Sequence, residues 1–201
     1  MQTLREYINS LVSVKDKEWE VFNKILRSHH YKKGDIINFK DDIWTDAMYI
    51  NSGIIRSYII NSEGRDFTRQ LYFNTSESHI GNLFVIDLTS FITQVSSYRG
   101  FEVLEESEVV IFSRKDLYAL YDTSKKWERI GRHLNEQAYL DMDRYYYSLL
   151  TKTTKERYLY LTKTMAGLIE KVPQYHIASL LGVTPVTLSR IKKEIANTEK
   201  K

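Results

Sequence analysis

The residues with the clearest chemical role lie near the end of the sequence, in the stretch IASLLGVTPVTLSRIKKEI (177–195). It predicts two short helices around a tight turn, in which Ala178 lets the helices approach and Gly182 makes the turn. A cap oxygen followed by Pro185 is typical of a helix start. The exposed face of the second helix carries hydroxyl and basic side chains, which suit the major groove of DNA and its flanking phosphates. The predicted base-reading residues are Thr184, Val186, Thr187, Ser189 and Arg190, and the predicted phosphate contacts are Gln174, Tyr175, Ser179 and Lys193.

The distribution of charge favours the same chemistry. From residue 151 onward the sequence holds ten Lys or Arg against four Asp or Glu, whereas the preceding 150 residues hold 19 basic and 22 acidic side chains. A basic C-terminal quarter on a mildly acidic body suggests that this end meets a polyanion. A solvated basic tail would give the same charge count.

Several other chemistries lack the residues that they need. The absence of cysteine excludes disulfides, thiolate metal sites and cysteine-held iron–sulfur clusters. None of the five histidines forms the His-x-His pair of a cupin metal site, and no phosphate loop, nucleophile elbow or catalytic carboxylate pair is present, so an enzyme is not expected. The sequence has no apolar run of about 18 residues and no signal peptide, which predicts a cytoplasmic protein outside the membrane.

The elements that must position the C-terminal residues change in type along the chain. Two amphipathic helices come first, and residues 31–112 then break into short runs rich in Ile, Val, Tyr, Phe and Thr. Turn signals at 34–35, 51–53 and 61–64 separate these runs, which predicts a sandwich or barrel. Ser113 and Asp116 are spaced as a capping box for a further helix.

A long segment without proline, KKWERIGRHLNEQAYLDMDRYYYSLL (125–150), predicts a helix of about 37 Å. Its apolar residues recur at spacings of three and four, which favours burial against a second copy of the chain. A helix folded back onto the barrel is the alternative. The predicted dimerisation residues are Ile130, Leu134, Ala138, Met142 and Leu149.

The order of these segments resembles the Crp/Fnr family of bacterial transcription regulators, in particular its compact members from Bacteroidetes. KKGDIINFKDD and MYINSGIIRSYIINSEGRD are similar to the opening strands of the family, and IASLLGVTPVTLSRIKKE is similar to its helix-turn-helix. The resemblance covers Val14 to Lys193 and implies an α+β fold with a cupin-like β-roll (1–124), a dimerisation helix (125–150) and a helix-turn-helix domain (151–201). It also implies double-stranded DNA, a second copy of the chain and RNA polymerase as partners. Only six residues follow 195, so the wing that follows the reading helix in relatives is expected to be truncated, with Lys200 and Lys201 as loose phosphate contacts.

The sequence departs from the family at its cyclic-nucleotide site. Relatives that bind the nucleotide use a Gly-Glu pair and an arginine, whereas this chain has Gly81-Asn82 and places Ser97 where the arginine falls, with Arg99 two positions on. Cyclic AMP is therefore not expected. An iron–sulfur cluster, for which the chain has no cysteine, and haem are not expected either, and the effector is unknown. Val186 also replaces a glutamate that many relatives use to accept a hydrogen bond from cytosine. The alternative function is a small-molecule or protein-partner sensor whose DNA-binding domain has degenerated.

Overall fold

A six-stranded antiparallel sheet forms the body of the computed structural model, which describes residues 1–38 and 42–198. Its strands lie in the order β1-β6-β3-β4, with β2 also paired to β6 and β5 to β3. The strands are β1 Arg27–Tyr31, β2 Ile36–Asn38, β3 Asp46–Ile60, β4 Asp66–Tyr72, β5 Phe84–Val85 and β6 Arg99–Ser113. The predicted α+β class is thus confirmed. The end of the predicted first strand, KKGDIINF, lies outside the described residues, as do Lys200 and Lys201.

The two longest strands, β3 and β6, pair along most of their length, and this pairing overrides one predicted turn. At 51–53 the chain does not reverse, because β3 continues through a bulged register against β6. Gly53 takes φ +93° there, and a Cβ at this position would collide with Ser107 and with the Glu106 carbonyl. The predicted turn at 61–64 is confirmed, with Gly64 at φ +78° between β3 and β4.

The second of the two N-terminal helices is short and is followed by a strand. The two predicted helices are present as α1 Leu4–Leu11 and α2 Asp16–Asn23, but the residues after α2 form the strand β1 instead of another helical turn. This strand pairs with β6, so a tertiary partner decides its conformation. The short helices α3 Ile80–Leu83 and α4 Leu88–Thr93 were not predicted, since neither is long enough to show a helical period.

The C-terminal half is helical, as predicted. Ser113 caps α5 Arg114–Thr123 by accepting from the Asp116 N–H at 3.1 Å. The remaining helices are α6 Lys125–Thr151, α7 Thr154–Met165, a 3-10 turn Ile169–Lys171, α8 Gln174–Leu180 and α9 Pro185–Thr198. None of the described helices combines the length and the apolar character that crossing a bilayer would require.

Two hydrophobic cores hold these elements together. The first fills the interior of the sheet and is closed by α1, α2 and the first half of α6, through residues such as Phe22 and Trp127. The second joins Leu71 and Leu104 of the sheet to Ile177 and Leu188 of the last two helices. Burying one such side chain contributes about 1.5–3 kcal/mol. The C-terminal helices therefore pack directly against the sheet.

The predicted stripe on α6 divides between two faces of that helix. Four residues turn an α-helix by about 40° more than one full circle, so a row spaced by four drifts around the axis. Ile130 is only 2% exposed, and Leu134 and Ala138 pack against the first core, whereas Met142 is 55% exposed and Leu149 is also exposed. The prediction that a second subunit covers the whole stripe is wrong for Ile130, because its own chain already buries it.

Candidate nucleic-acid interface and effector pocket

The outer face of α9 presents four side chains to solvent at helical spacing. Val186, Ser189, Arg190 and Lys193 follow one another at i, i+3, i+4 and i+7, and all four are exposed. The opposite face carries Leu188, which is buried in the second core. The helix is thus held by one side and leaves the other free to enter a groove.

The start of α9 is built as the sequence predicts. Gly182 takes φ +72° in the turn, and Pro185 is the first helical residue. The Thr184 hydroxyl oxygen accepts from the Thr187 N–H at 3.2 Å, and the two hydroxyl oxygens lie 3.0 Å apart. Because these hydroxyls already engage each other, Ser189 and Arg190 are the predicted base-reading residues whose polar groups remain open to a partner.

The predicted phosphate contacts separate into two groups. Tyr175 and Lys193 are exposed, and Gln174 lies beside them on the surface, where its Oε1 accepts from Lys192 Nζ at 3.2 Å. Ser179, in contrast, is turned inward and its Oγ accepts from the Thr68 N–H at 2.9 Å. The structure therefore argues against Ser179 as a phosphate contact, because its oxygen is already used within the chain. Ala178 is fully buried in the second core, which fits its predicted structural role.

A polar cluster that the sequence did not predict joins α8 to the sheet. Arg56 is 6% exposed and pairs with Asp66 and Glu102, each at 2.6 Å, and its Nη1 also donates to Thr68 Oγ1 at 3.2 Å. The same hydroxyl lies 3.3 Å from Nδ1 of His176, which is buried on α8. Burial, followed by the positive charge of Arg56, lowers the pKa of His176 from 6.5 to about 4. The histidine is thus neutral at neutral pH and serves the contact between α8 and β4.

The predicted effector pocket already contains an acid. The structure brings Ser97 and Arg99 together around Asp87, which is fully buried. Ser97 Oγ donates to Asp87 Oδ2 at 2.7 Å, and Arg99 Nη1 lies 3.7 Å from Asp87 Oδ1. Asp87 was not among the predicted site residues, although a lone acid within the apolar run NLFVIDL is a signal for a buried, paired carboxylate. A buried carboxylate thus faces the Arg99 guanidinium.

The Gly81-Asn82 pair lies in α3 and is tied to the long helix. The Gly81 N–H donates to Asp141 Oδ2 at 3.0 Å, and the same oxygen is 2.5 Å from His79 Nδ1. Burial opposes the charge on Asp141, but the hydrogen bond and the charge of His79 lower the pKa of this carboxyl below its usual value. Asn82 Nδ2 donates to the Leu71 carbonyl at 3.2 Å, so its amide serves the fold. Over the described ranges, no three His, Cys, Asp or Glu side chains gather as metal ligands.

Comparison with known proteins gives a match in structure but not in sequence. No protein-family model matches the chain, and no curated protein is similar to it in sequence at a significant level. FixK2 from Bradyrhizobium japonicum superposes with a TM-score of 0.68 at 16% identity, covering 87% of this chain and 86% of that one. The c-di-GMP responsive global regulator CLP of Xanthomonas campestris gives a TM-score of 0.63 at 17% identity over 90% and 91% of the two chains.

A third structure carries the family name in its description. It is described as a transcriptional regulator of the Crp/Fnr family from Eubacterium rectale, with a TM-score of 0.64 at 19% identity over 92% of this chain and 85% of that one. Identities this low establish a common architecture and nothing finer. The sheet, the long helix and the C-terminal helix pair occur together in this chain, and it therefore has the fold of the Crp/Fnr regulators, as its sequence predicted.

Proposed function

We propose that the chain is a transcription regulator that binds a two-fold symmetric DNA site as a homodimer and is not controlled by cyclic AMP. The observation that carries this proposal is the exposed face of α9, which follows a helix-turn-helix turn on a fold shared with transcription regulators. In this proposal residues 1–124 form a sensor domain, 125–150 join two subunits and 151–201 bind DNA. The protein acts in the cytoplasm with RNA polymerase as a further partner, and it is not an enzyme.

Arg190 is the proposed main base reader. Its guanidinium is exposed on α9 and can grip guanine O6 and N7 together, a contact worth about 1–3 kcal/mol. Ser189, one residue before it, can add a single hydrogen bond. Val186 offers only an apolar surface, which favours a thymine methyl group. Lys193 and the exposed Tyr175 are placed for phosphates, which set the position of the protein on DNA but do not read its sequence.

The second half of α6 supports the proposed dimer. Asn135, Tyr139, Met142, Tyr146 and Leu149 follow one another at spacings of four, three, four and three, which is the heptad pattern of a helix pair. All five are exposed in the single chain, unlike the first part of the predicted stripe. We call these five residues the α6 seam. A two-fold axis along the seam would bury it against its own copy and would set the two α9 helices on the same side of the DNA.

Sedimentation tests the dimer. We expect about 48 kDa at micromolar concentration, twice the 23.8 kDa of one chain. Met142→Glu places a charge in the seam and should shift the protein towards the monomer. Leu140→Glu is the matched control, because Leu140 is also apolar and exposed but lies about 200° around the helix from Met142. A monomeric wild-type protein that still selected a palindrome would contradict the proposal.

Random-site selection tests the proposed reading helix. We expect a palindrome with half-sites about 34 Å apart. Arg190→Ala should flatten the preference at one guanine. Lys193→Ala should instead weaken binding to all sequences alike, and it should reduce by about one the slope of log affinity against log salt concentration. A selection that yields no consensus would favour the alternative, a sensor module with a degenerate DNA-binding domain. A consensus unchanged in Arg190→Ala would show that another residue reads the guanine.

The independence from cyclic AMP rests on Asp87. Its carboxylate faces Arg99 and is fully buried, so a nucleotide phosphate would have to displace an internal charge partner. Asn82 stands where relatives carry the acid for the ribose hydroxyl, and its Nδ2 is already hydrogen-bonded to the chain. Calorimetry with millimolar cyclic AMP should show no saturable heat. Micromolar binding that Arg99→Ala abolishes would overturn this part of the proposal.

A further inference from the structure

An open cleft of about 250 Å³ lies where four parts of the chain meet. The β3–β4 hairpin forms one wall, the end of α6 and the start of α7 form another, and the turn between α8 and α9 closes the third side. Apolar side chains make up much of the lining, among them Ile59, Phe67, Tyr145 and Leu180. The cleft is separate from the Asp87–Arg99 pair, because it shares no lining residue with that pair.

Two arginines are the charged groups of this cleft. Arg69 and Arg157 both line it, and none of the Asp or Glu residues that the structure describes is part of its lining. Neither arginine forms an ion pair with any part of the chain that the structure describes. The Arg69 guanidinium lies 4.8 Å from the centre of the Tyr145 ring, which holds it at the wall.

Arg157 is fixed in place but incompletely hydrogen-bonded. Its Nη2 donates to the Leu181 carbonyl at 3.1 Å and lies 3.4 Å from Thr154 Oγ1. Its Nε is buried and has no acceptor among the described residues. Two cations without an acid beside them therefore favour an anion as the missing partner.

We propose that this cleft binds a small organic anion, a carboxylate or phosphate that carries an apolar ring or chain. The acid group would lie between Arg69 and Arg157, which present planar donors suited to two oxygens of one anion. The apolar part would lie against Phe67 and Tyr145. The volume is slightly below the usual range for drug-sized ligands, about 300–1,000 Å³, so the ligand is small.

The cleft adjoins the turn that precedes the proposed reading helix α9. Its lining includes Thr68 of β4, Ser179 of α8 and Gly182 of the turn before α9. A bound anion would therefore connect the sheet, the long helix and the helix-turn-helix at the contact where Thr68 donates to Ser179. Binding of the anion does not depend on the proposed DNA-binding function and can be measured without DNA.

Calorimetry of the full chain with phenyl phosphate tests the proposal. We expect saturable binding that is at least about tenfold weaker in both Arg69→Gln and Arg157→Gln, because each removes one charge-assisted hydrogen bond. Arg65→Gln is the matched control, since Arg65 lies on the same hairpin, is exposed and pairs with Glu63, outside the cleft. Circular dichroism should show that each variant is folded, and Arg69→Gln removes no described hydrogen bond, so it remains informative if Arg157→Gln is unstable.

Further ligands separate the chemistry of the site. Phenol, which lacks the charge, should not bind, and inorganic phosphate, which lacks the ring, should bind more weakly than phenyl phosphate. Equal affinity for inorganic and phenyl phosphate would overturn the assignment of an organic anion. Binding that both arginine variants leave unchanged, or no saturable binding at millimolar concentration, would overturn the site itself. If duplex DNA displaces phenyl phosphate, and both arginine variants lose DNA affinity equally, these arginines would be assigned to the DNA backbone instead.

Discussion

Protonation of His176 should loosen the contact between the C-terminal helices and the sheet. The imidazole is 2% exposed, lies 3.3 Å from Thr68 Oγ1 and stands beside the buried cation Arg56. A second positive charge at this position would repel Arg56 and would lose its hydration. We therefore expect the protonation of His176 to lower the free energy of unfolding as the pH decreases.

The magnitude follows from the difference in pKa between the two states. The pKa of His176 falls from 6.5 to about 4 in the folded chain, so between these values the unfolded chain binds a proton that the folded chain does not. The contribution of His176 to stability is therefore fully present above about pH 6.5 and decreases as the pH falls. Linkage gives a loss of about 2.5 kcal/mol between about pH 7.5 and about pH 4.5, at 1.36 kcal/mol per pKa unit.

Urea denaturation at both pH values measures this loss. His176→Asn places an amide near the position of Nδ1 but cannot titrate. The difference between the losses of wild type and variant therefore gives the contribution of the histidine, without that of the carboxyl groups that protonate in the same pH range. His30→Asn is the control for the substitution itself, because His30 is exposed on β1. Equal losses in wild type and His176→Asn would refute the assignment of His176 as a buried neutral group.

Two further changes probe other parts of the fold. Gly53→Ala should lower the free energy of unfolding by about 2 kcal/mol more than Gly64→Ala in urea denaturation, because both glycines have positive φ but only a Cβ at Gly53 would collide with Ser107; equal effects would show that the bulge can open at no cost. Asp141→Asn should destabilise the neutral-pH protein by about 1–2 kcal/mol by removing the charge that faces His79. The lowered pKa of Asp141 means that this contribution is present above the ordinary value of 3.8 and is lost as the pH falls through the lowered one, so variant and wild type should converge in acid.

Local signals in the sequence were enough to define the C-terminal helix-turn-helix. A cap at Thr184, a proline at 185 and a glycine at 182 act within a few residues of one another, so their effect does not depend on the rest of the chain. The long helix α6 was equally clear, because apolar residues recur along it at spacings of three and four, which is the helical period. The order of these elements, together with the resemblance of their motifs to the Crp/Fnr family, indicated the fold class.

The sequence could not show where a side chain meets a partner that is distant along the chain. Ser179 has a surface position in the helical pattern, yet α8 packs on the edge strand β4 and turns this hydroxyl towards Thr68, 111 residues away. Ile130 and Met142 belong to one apparent stripe, but only packing against the sheet decides which is buried and which is exposed. Asp87 and Arg99 face each other for the same reason. Caps, turns and helix length are local and can be derived from sequence, whereas the pairing of charges and the burial of each face depend on how the elements pack together in three dimensions.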